Sequence, residues 1–294
     1  MELHQLRYAV TVARAGNFSR AAVQCRVAQP SLSQQIQKLE DELGGLLFER
    51  LPRGARLTPF GEAFLRRAQS ILNEVEVLKR EAGDARNLLT GSLAVGVLPS
   101  IAPYLLPSMV KSFAERFPGV EVIVHEDTTE RLLRQVGRCE IDVAIASLPL
   151  DDDRMAVKPL FSEELLLALP ADHPLTLRRT LKAADLDGQK LIVMKEGHCL
   201  GEQVLHFCDR SHACPNISIR SAQLETILAL VQCGMGISLI PEMAVQQAKG
   251  AEPVFRSLTD PKPERRIVAF WPKSRPPGRA VEEFLAGLPA REKA

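Results

Sequence analysis

The sequence predicts an α+β multidomain chain: a winged helix-turn-helix, then one long linker helix, then a two-lobed α/β unit. Three observations carry this. A helical apolar period with a glycine-punctuated turn fills the first sixty residues. A 3.5-residue apolar repeat follows it. Beyond Gly91, strand-like and helix-like patterns alternate. The expected boundaries are 1–58, 59–90 and 91–294, with one lobe over about 91–161 and 267–294 and the other over about 162–266.

Composition sets the outer limits. A chain of 294 residues is long enough for two or more domains. With 46% hydrophobic and 25% charged residues it reads as an ordinary globular protein. The net charge of +1 gives no global signal for polyanion binding, so any nucleic-acid site is local. No apolar run approaches the roughly 20 residues that span a bilayer. The N-terminal MELHQLRYAV lacks a leader's basic and apolar regions. The expected location is cytoplasmic, with no membrane partner, and there six cysteines are not a disulfide framework.

In LHQLRYAVTVAR, the residues Leu3, Leu6, Val10 and Ala13 recur at helical spacing, and Gly16 stops the helix. Ser19 precedes Ala21-Ala22, Val23 continues the apolar face, and Cys25 and Val27 flank a tight turn. The next helix starts near Gln29-Pro30-Ser31, because proline's missing N–H has no partner in a first turn anyway. Leu32, Ile36, Leu39 and Leu43 form its apolar stripe, and Gly44-Gly45 ends it. Its other face carries Gln29, Ser31, Ser33, Gln34 and Gln37, polar side chains suited to base edges and phosphates. Leu46–Arg50 and Arg56–Thr58 read as two short strands around Pro52-Arg53-Gly54, a basic wing for phosphate contacts. The candidate DNA-contacting residues are therefore Ser19, Arg20, Gln29, Pro30, Ser31, Ser33, Gln34, Lys38, Arg50, Arg53 and Arg56. The plain alternative is a small helical domain with a solvated polar face.

From Thr58 the period changes. Phe64, Ala68, Ile71, Val75, Leu78, Ala82, Ala85 and Leu89 alternate steps of four and three. Thr58-Pro59 suits a helix start. A helix of about 30 residues is roughly 45 Å long, too long to bury within a small domain. A two-chain coiled coil is expected, with Phe64, Ala68, Ile71, Val75, Leu78 and Ala82 as its dimer seam. A homodimer would present two recognition helices to a palindromic operator.

In the remainder, SLAVGVLPS, VEVIVHED and IDVAIAS read as strands, with helices in IAPYLLPSMVKSFAERFPG and TERLLRQVGRC between them. LLLALP, KLIVMK, ISIRS and SLIPEMAV suggest a second βα unit, and RIVAFWP a return to the first. A mostly parallel sheet is expected. Strand C-terminal ends, at Pro99-Ser100 and Asp127-Thr128-Thr129, would line a cleft.

One stretch, KEGHCLGEQVLHFCD, bears on chemistry. Leu200, Val204, Phe207 and Cys208 mark a helical face. In a helix, Cys199 and Cys208 lie roughly 13 Å apart, whereas a disulfide needs Cα atoms within about 7 Å. Either the pair never oxidises or oxidation unwinds the segment, which describes a switch. Helix N-termini and nearby cations favour the reactive thiolate, and Cys199 sits beside His198 and near Lys195. Three readings stand together: inert core cysteines; a metal site among His198, Cys199, His206, Cys208, His212 and Cys214, whose order lacks the short paired spacing of structural zinc sites; and a peroxide switch in which a sulfenic acid condenses with a second thiol.

Two resemblances enter here. FSRAAVQCRVAQPSLSQQIQKLEDELGGLLFER, followed by RLTPFGEAFL, resembles the N-terminal signature of LysR-type transcriptional regulators. That likeness implies a DNA-binding regulator rather than an enzyme, a linker-helix dimer or homotetramer, and effector lobes like those of periplasmic binding proteins. EGHCL…FC, with VLPSIAPYLLP before it and SAQLETILALVQCGMGISLIP after it, is similar to the peroxide-sensing branch of the family. The likeness to that branch implies a redox-active pair in which Cys199 meets hydrogen peroxide and Cys208 resolves it. It implies an activator that recruits RNA polymerase when oxidised, with no cofactor and no bound metal. It also implies a peroxide pocket of Ser100, Thr129, His198 and Arg266, with serine at 100 where the branch usually has threonine. The chain departs from the branch at Gly201-Glu202, where an Arg-Asp pair is familiar. Cys25, Cys139, Cys214 and Cys233 receive no role, although Cys214 competes with Cys208 as the resolving thiol. The alternative function is a regulator that answers to a small metabolite between the lobes.

Overall fold

The computed structural model describes residues 1–51, 54–84, 89–246 and 253–288, with the side chains of 76, 77 and 79–84 left aside. It divides into two compact units: Met1–Leu88 with Arg138–Glu140, and Leu89–Gly137 with Ile141–Ala294.

The first unit begins with α1 (Leu3–Ala15), α2 (Phe18–Cys25) and α3 (Gln29–Leu43). Asn17 caps α2, its side-chain oxygen accepting from the N–H groups of Ser19 and Arg20 at 2.8 and 3.1 Å. Pro30 lies in the first turn of α3, and Gly44 closes that helix with φ 69°, a left-handed conformation that costs glycine little. Leu6, Ala9 and Val12 of α1, Ala21 and Ala22 of α2, and Leu32, Ile36 and Leu39 of α3 form one core. Val23 does not continue that face. It is 78% exposed, because the Ala21-Ala22 pair already fills the contact and Val23 points away from it. The wing is the antiparallel hairpin β1 (Phe48–Leu51) and β2 (Gly54–Leu57). Buried Glu40 anchors it, one oxygen accepting from the N–H groups of Leu47 and Phe48 at 2.7 and 3.1 Å.

The long helix is α4 (Pro59–Asp84). Thr58 sets its start: its hydroxyl accepts from Gly61 N–H at 2.9 Å and donates to the Leu46 carbonyl at 2.6 Å. The expected single seam divides into two faces. Ala68 packs with Leu65 and Leu72 into the core of the helical unit and is not free to pair with a second chain. Ile71 and Leu78 are 43% and 63% exposed, and Phe64 and Val75 are half-buried. The side chain of Ala82 and the whole of Ala85 lie outside the described residues. Leu89 does not extend the heptads, because it is buried in the core of the second unit.

The second unit contains β3 (Gly91–Val97), α5 (Ala102–Arg116), β4 (Val120–Glu126), α6 (Thr129–Gly137) and β5 (Val143–Ser147), then the long β6 (Met155–Leu169). After it come β7 (Lys190–Met194), α7 (Cys199–Arg210), β8 (Asn216–Ser221), α8 (Leu224–Gln232), β9 (Ser238–Pro241), α9 (Glu242–Val245), β10 (Val254–Arg256), β11 (Glu264–Pro272) and α10 (Arg279–Ala286). The main sheet runs β10-β6-β11-β5-β3-β4, with β9 also on β6, and β7 pairs β8 separately. It is mixed rather than mostly parallel. β3 pairs β4 and β5 in parallel, and β7 pairs β8 likewise, but β11 runs antiparallel to β5 and β6, as do β9 and β10 to β6. Long β6 and β11 carry the chain between two apolar cores, and that crossing reverses their direction. One core is built around β3, β5, α5 and α10, the other around β7, α7 and α8. Tyr104 packs against both, and its hydroxyl donates to Glu225 at 3.3 Å. Among the described residues, no helix is long and apolar enough to cross a membrane.

Candidate functional site

Cys199 opens α7, with His198 as the residue before the first turn. Leu200, Val204 and Cys208 turn into the second core, while half-buried Cys199 packs against the first. Its Sγ lies 3.5 Å from Ser147 Oγ, at the C-terminal end of β5. One turn along α7, Gln203 Nε2 donates to Ser147 Oγ at 2.6 Å and to the Leu148 carbonyl at 2.7 Å. Sequence reasoning missed both Ser147 and Gln203. The signals were present: a hydroxyl residue at a parallel strand's C-terminal end, and an amide four residues after the cysteine on the same helix face.

His198 is pushed below the usual histidine range by burial first and by the Lys195 charge second, against an opposing pull from Asp127. That shift disfavours the charged ring and weakens His198 as a cationic neighbour for Cys199. Asp127 links this corner to the β4–α6 junction, where Thr129 begins α6. The Thr129 hydroxyl is buried and has no hydrogen-bond partner among the described residues.

Ser100 is buried, and the cation bonded to it is Arg265 rather than Arg266. Arg266 is exposed, whereas its neighbour Arg265 is buried, since successive residues of β11 point to opposite faces. Arg265 Nη1 donates to Ser100 Oγ at 2.9 Å, Nη2 to the Ser100 carbonyl at 3.1 Å, and Nε to Glu163 at 2.7 Å. Both side chains of that ion pair are 0% exposed. Glu163 also accepts from Met243 N–H at 3.0 Å. The structure thus groups Ser100 with Arg265 and Glu163, and Cys199 with Ser147 and Gln203.

Cys208 is buried near the far end of α7, and burial, with the Asp209 carboxylate second, pushes its thiol up to about 11. Nine residues of helix separate the cysteines by roughly 13 Å. Cys214 is exposed beyond the helix. Gly201 is explained by contact: a Cβ there would stand 2.4 Å from the Met194 carbonyl oxygen, where α7 crosses the end of β7. Among the described residues, no three His, Cys, Asp or Glu side chains gather as a metal site.

In the helical unit, Gln29, Pro30, Ser31, Gln34 and Lys38 are exposed along α3, Ser33 is half-buried, and Ser19 and Arg20 are exposed at the start of α2. Arg50 lies over the Phe18 ring at 5.1 Å and reaches Gln37 at 3.5 Å. Arg56 pairs with Glu49 at 2.7 Å, so the wing is less basic than its arginines suggest. Arg53 lies outside the described residues.

Comparison with known proteins gives these sites their context. Residues 3–62 match the model of the bacterial regulatory helix-turn-helix protein, lysR family, and residues 86–291 match the LysR substrate binding domain. The DNA-binding transcriptional dual regulator OxyR of Escherichia coli K12 is 36% identical over 292 residues, covering 99% of this chain and 96% of that protein. Full-length OxyR C199D from Pseudomonas aeruginosa has TM-score 0.79 at 36% identity, over 98% of this chain and 97% of that one. A hydrogen peroxide-bound cysteine-to-serine variant of Corynebacterium glutamicum OxyR has TM-score 0.66 at 33% identity, over 97% and 91%. Matching that family along nearly its whole length, the chain belongs to the LysR-type transcriptional regulators, DNA-binding proteins rather than enzymes.

Proposed function

We propose that this regulator activates transcription in response to hydrogen peroxide through its own cysteines. The observation that carries the reading is Cys199 at the N-terminus of α7, beside a hydroxyl, with Cys208 on the same helix. The Cys199 sulfur attacks one peroxide oxygen; an S–O bond forms, the O–O bond breaks, and the departing oxygen leaves as water after taking a proton. The sulfur is oxidised by two electrons to a sulfenic acid. The Cys208 thiol then displaces a second water and closes the disulfide. The two sulfurs meet only if α7 unwinds between them, because roughly 13 Å exceeds the reach of a disulfide. Cys208 is buried and held protonated in the helix, so it becomes a nucleophile only as the helix opens.

The same reading assigns the remaining residues. Ser100, Thr129, His198 and Arg266 line the approach of peroxide, with Arg265 holding Ser100 from the opposite face of β11. Ser19, Arg20, Gln29, Pro30, Ser31, Ser33, Gln34, Lys38, Arg50, Arg53 and Arg56 meet DNA. The exposed Ile71 and Leu78 face of α4 joins two copies, or two such pairs in a tetramer, on a palindromic operator. The oxidised form engages RNA polymerase.

The test is a footprint comparison. Duplexes selected from a random pool by the reduced protein are footprinted before and after peroxide, in the wild type and in Cys199→Ser. The proposal expects a peroxide-dependent change in the wild type alone. An identical footprint before and after, or a change that survives in C199S, contradicts it.

A second reading has one observation in its favour. A cleft of about 370 Å³ opens between the lobes, lined by residues that include Pro99, Pro103, Glu126, Met194 and Glu225, and a small metabolite would fit there.

A further inference from the structure

Gln203 belongs to no part of the mechanism above, yet it is the side chain that ties α7 to the opposite lobe beside the reacting sulfur. Its amide orientation is fixed by chemistry. The Leu148 carbonyl only accepts, so the Gln203 NH₂ group must face it, at 2.7 Å. The other amide hydrogen goes to Ser147 Oγ at 2.6 Å. The carbonyl oxygen of Gln203 is buried without a partner among the described residues. A complete polar network therefore does not explain its presence; the two donated bonds do.

The consequence falls on Ser147. A hydroxyl has one hydrogen and two lone pairs. Gln203 occupies a lone pair, so the Ser147 hydrogen must point elsewhere, and the Cys199 sulfur lies within reach at 3.5 Å. A hydrogen bond given to a charged sulfur favours the charged form over the neutral one. We propose that Gln203 is a positioning residue that turns the Ser147 hydroxyl into a donor toward Cys199, so that Ser147 stabilises the thiolate that meets the oxidant. The proposal rests on the reading of Cys199 as the peroxide-reactive thiol.

The relay is tested in the full chain, in the reduced state and without peroxide, by following alkylation of Cys199 against pH by mass spectrometry. Ser147→Ala moves the Cys199 midpoint up by about one pH unit, the shift expected when one hydrogen bond to a charged group is lost. Gln203→Met, close in size, moves it up by a smaller amount. The double variant S147A/Q203M matches S147A alone, because Gln203 acts through Ser147, and Ser147→Thr restores the wild-type midpoint. A purely structural role for Gln203 would leave the midpoint in place. The proposal is overturned by an unmoved midpoint in Q203M, or by a Q203M effect that adds in full to that of S147A. S147A guards against misfolding of Q203M: it removes only one oxygen, and an unmoved midpoint there overturns the proposal by itself. Since the titration involves no peroxide, a chain whose Cys199 never oxidises would refute the sensing function and leave the relay to stand or fall separately.

Discussion

The Arg265–Glu163 pair allows the sharpest test of the packing. Both side chains are 0% exposed, and Arg265 has further bonds to Ser100. Replacing Arg265 with methionine leaves the Glu163 carboxylate buried with Met243 N–H still on it and without its cation. Removing one partner of a buried pair costs about 3–5 kcal/mol. For a unit of this size each kcal/mol lowers Tm by about 2–4 °C, so R265M lowers the melting of the α/β unit by about 8–16 °C around a central cost of about 4 kcal/mol. Replacing exposed Arg266 changes stability by less than about 0.5 kcal/mol. The double variant Glu163→Leu with R265M recovers much of the loss, because no charge stays buried. Calorimetry and urea unfolding of the four proteins read these differences. A loss below about 1 kcal/mol in R265M, or an equal loss in R266M, would refute the assignment of Arg265 as the buried partner of Ser100.

Three further outcomes follow from the structure. Gly201→Ala destabilises by roughly 1–3 kcal/mol in urea unfolding, despite alanine's better helix propensity, because the added Cβ meets the Met194 carbonyl at 2.4 Å; a stabilised variant would mean that α7 does not pack so closely on β7. The Cys208 thiol is raised from about 9 to about 11 in the folded chain. The folded state therefore holds its proton longer than the unfolded state, and the contribution of Cys208 to stability is level below about pH 9 and is lost between about 9 and 11. Cys208→Ala removes that part of the slope, and a C208A curve parallel to the wild type would contradict the burial argument. If α4 joins two copies as proposed, Ile71→Lys with Leu78→Lys gives monomers in sedimentation where the wild type gives a larger species, without lowering the melting of the helical unit, whose core uses Leu65, Ala68 and Leu72 instead; equal sedimentation coefficients for the two proteins would contradict the proposed α4 contact.

The parts of the fold that were legible in sequence are those in which one local pattern has one structural solution. The α3 stripe of Leu32, Ile36 and Leu39, with proline at its start and glycine after its end, maps directly onto a buried face. The α7 face of Leu200, Val204 and Cys208 does the same. Where two solutions compete, the pattern misleads. The heptads of α4 combine two apolar stripes, and only packing reveals that Ala68 turns inward while Ile71 and Leu78 turn outward. The apolar run in α8, around Thr226–Val231, does not by itself separate a helix from a buried strand. The stretch of β6 from Lys158 to Glu164 is hidden from a strand reading by Lys158, Glu163 and Glu164, charged residues that the strand carries between the lobes. Arg265 and Arg266 show how fine the margin is: one step along a strand exchanges a buried cation for an exposed one. Ser147 and Gln203 each carried a local signal, but nothing in sequence joins position 147 to positions 199 and 203; the tertiary fold does.

The most direct test of the central claim maps the thiols. The reduced protein is treated with about one equivalent of hydrogen peroxide, matching the single Cys199–Cys208 disulfide expected per chain, then quenched by alkylation, digested and analysed by mass spectrometry, alongside C199S, C208S and Cys214→Ser. The account predicts a rapidly formed peptide linking Cys199 to Cys208, absent in C199S and C208S and retained in C214S. Both cysteines remaining open to alkylation, or a link from Cys199 to Cys214 in the wild type, would contradict it.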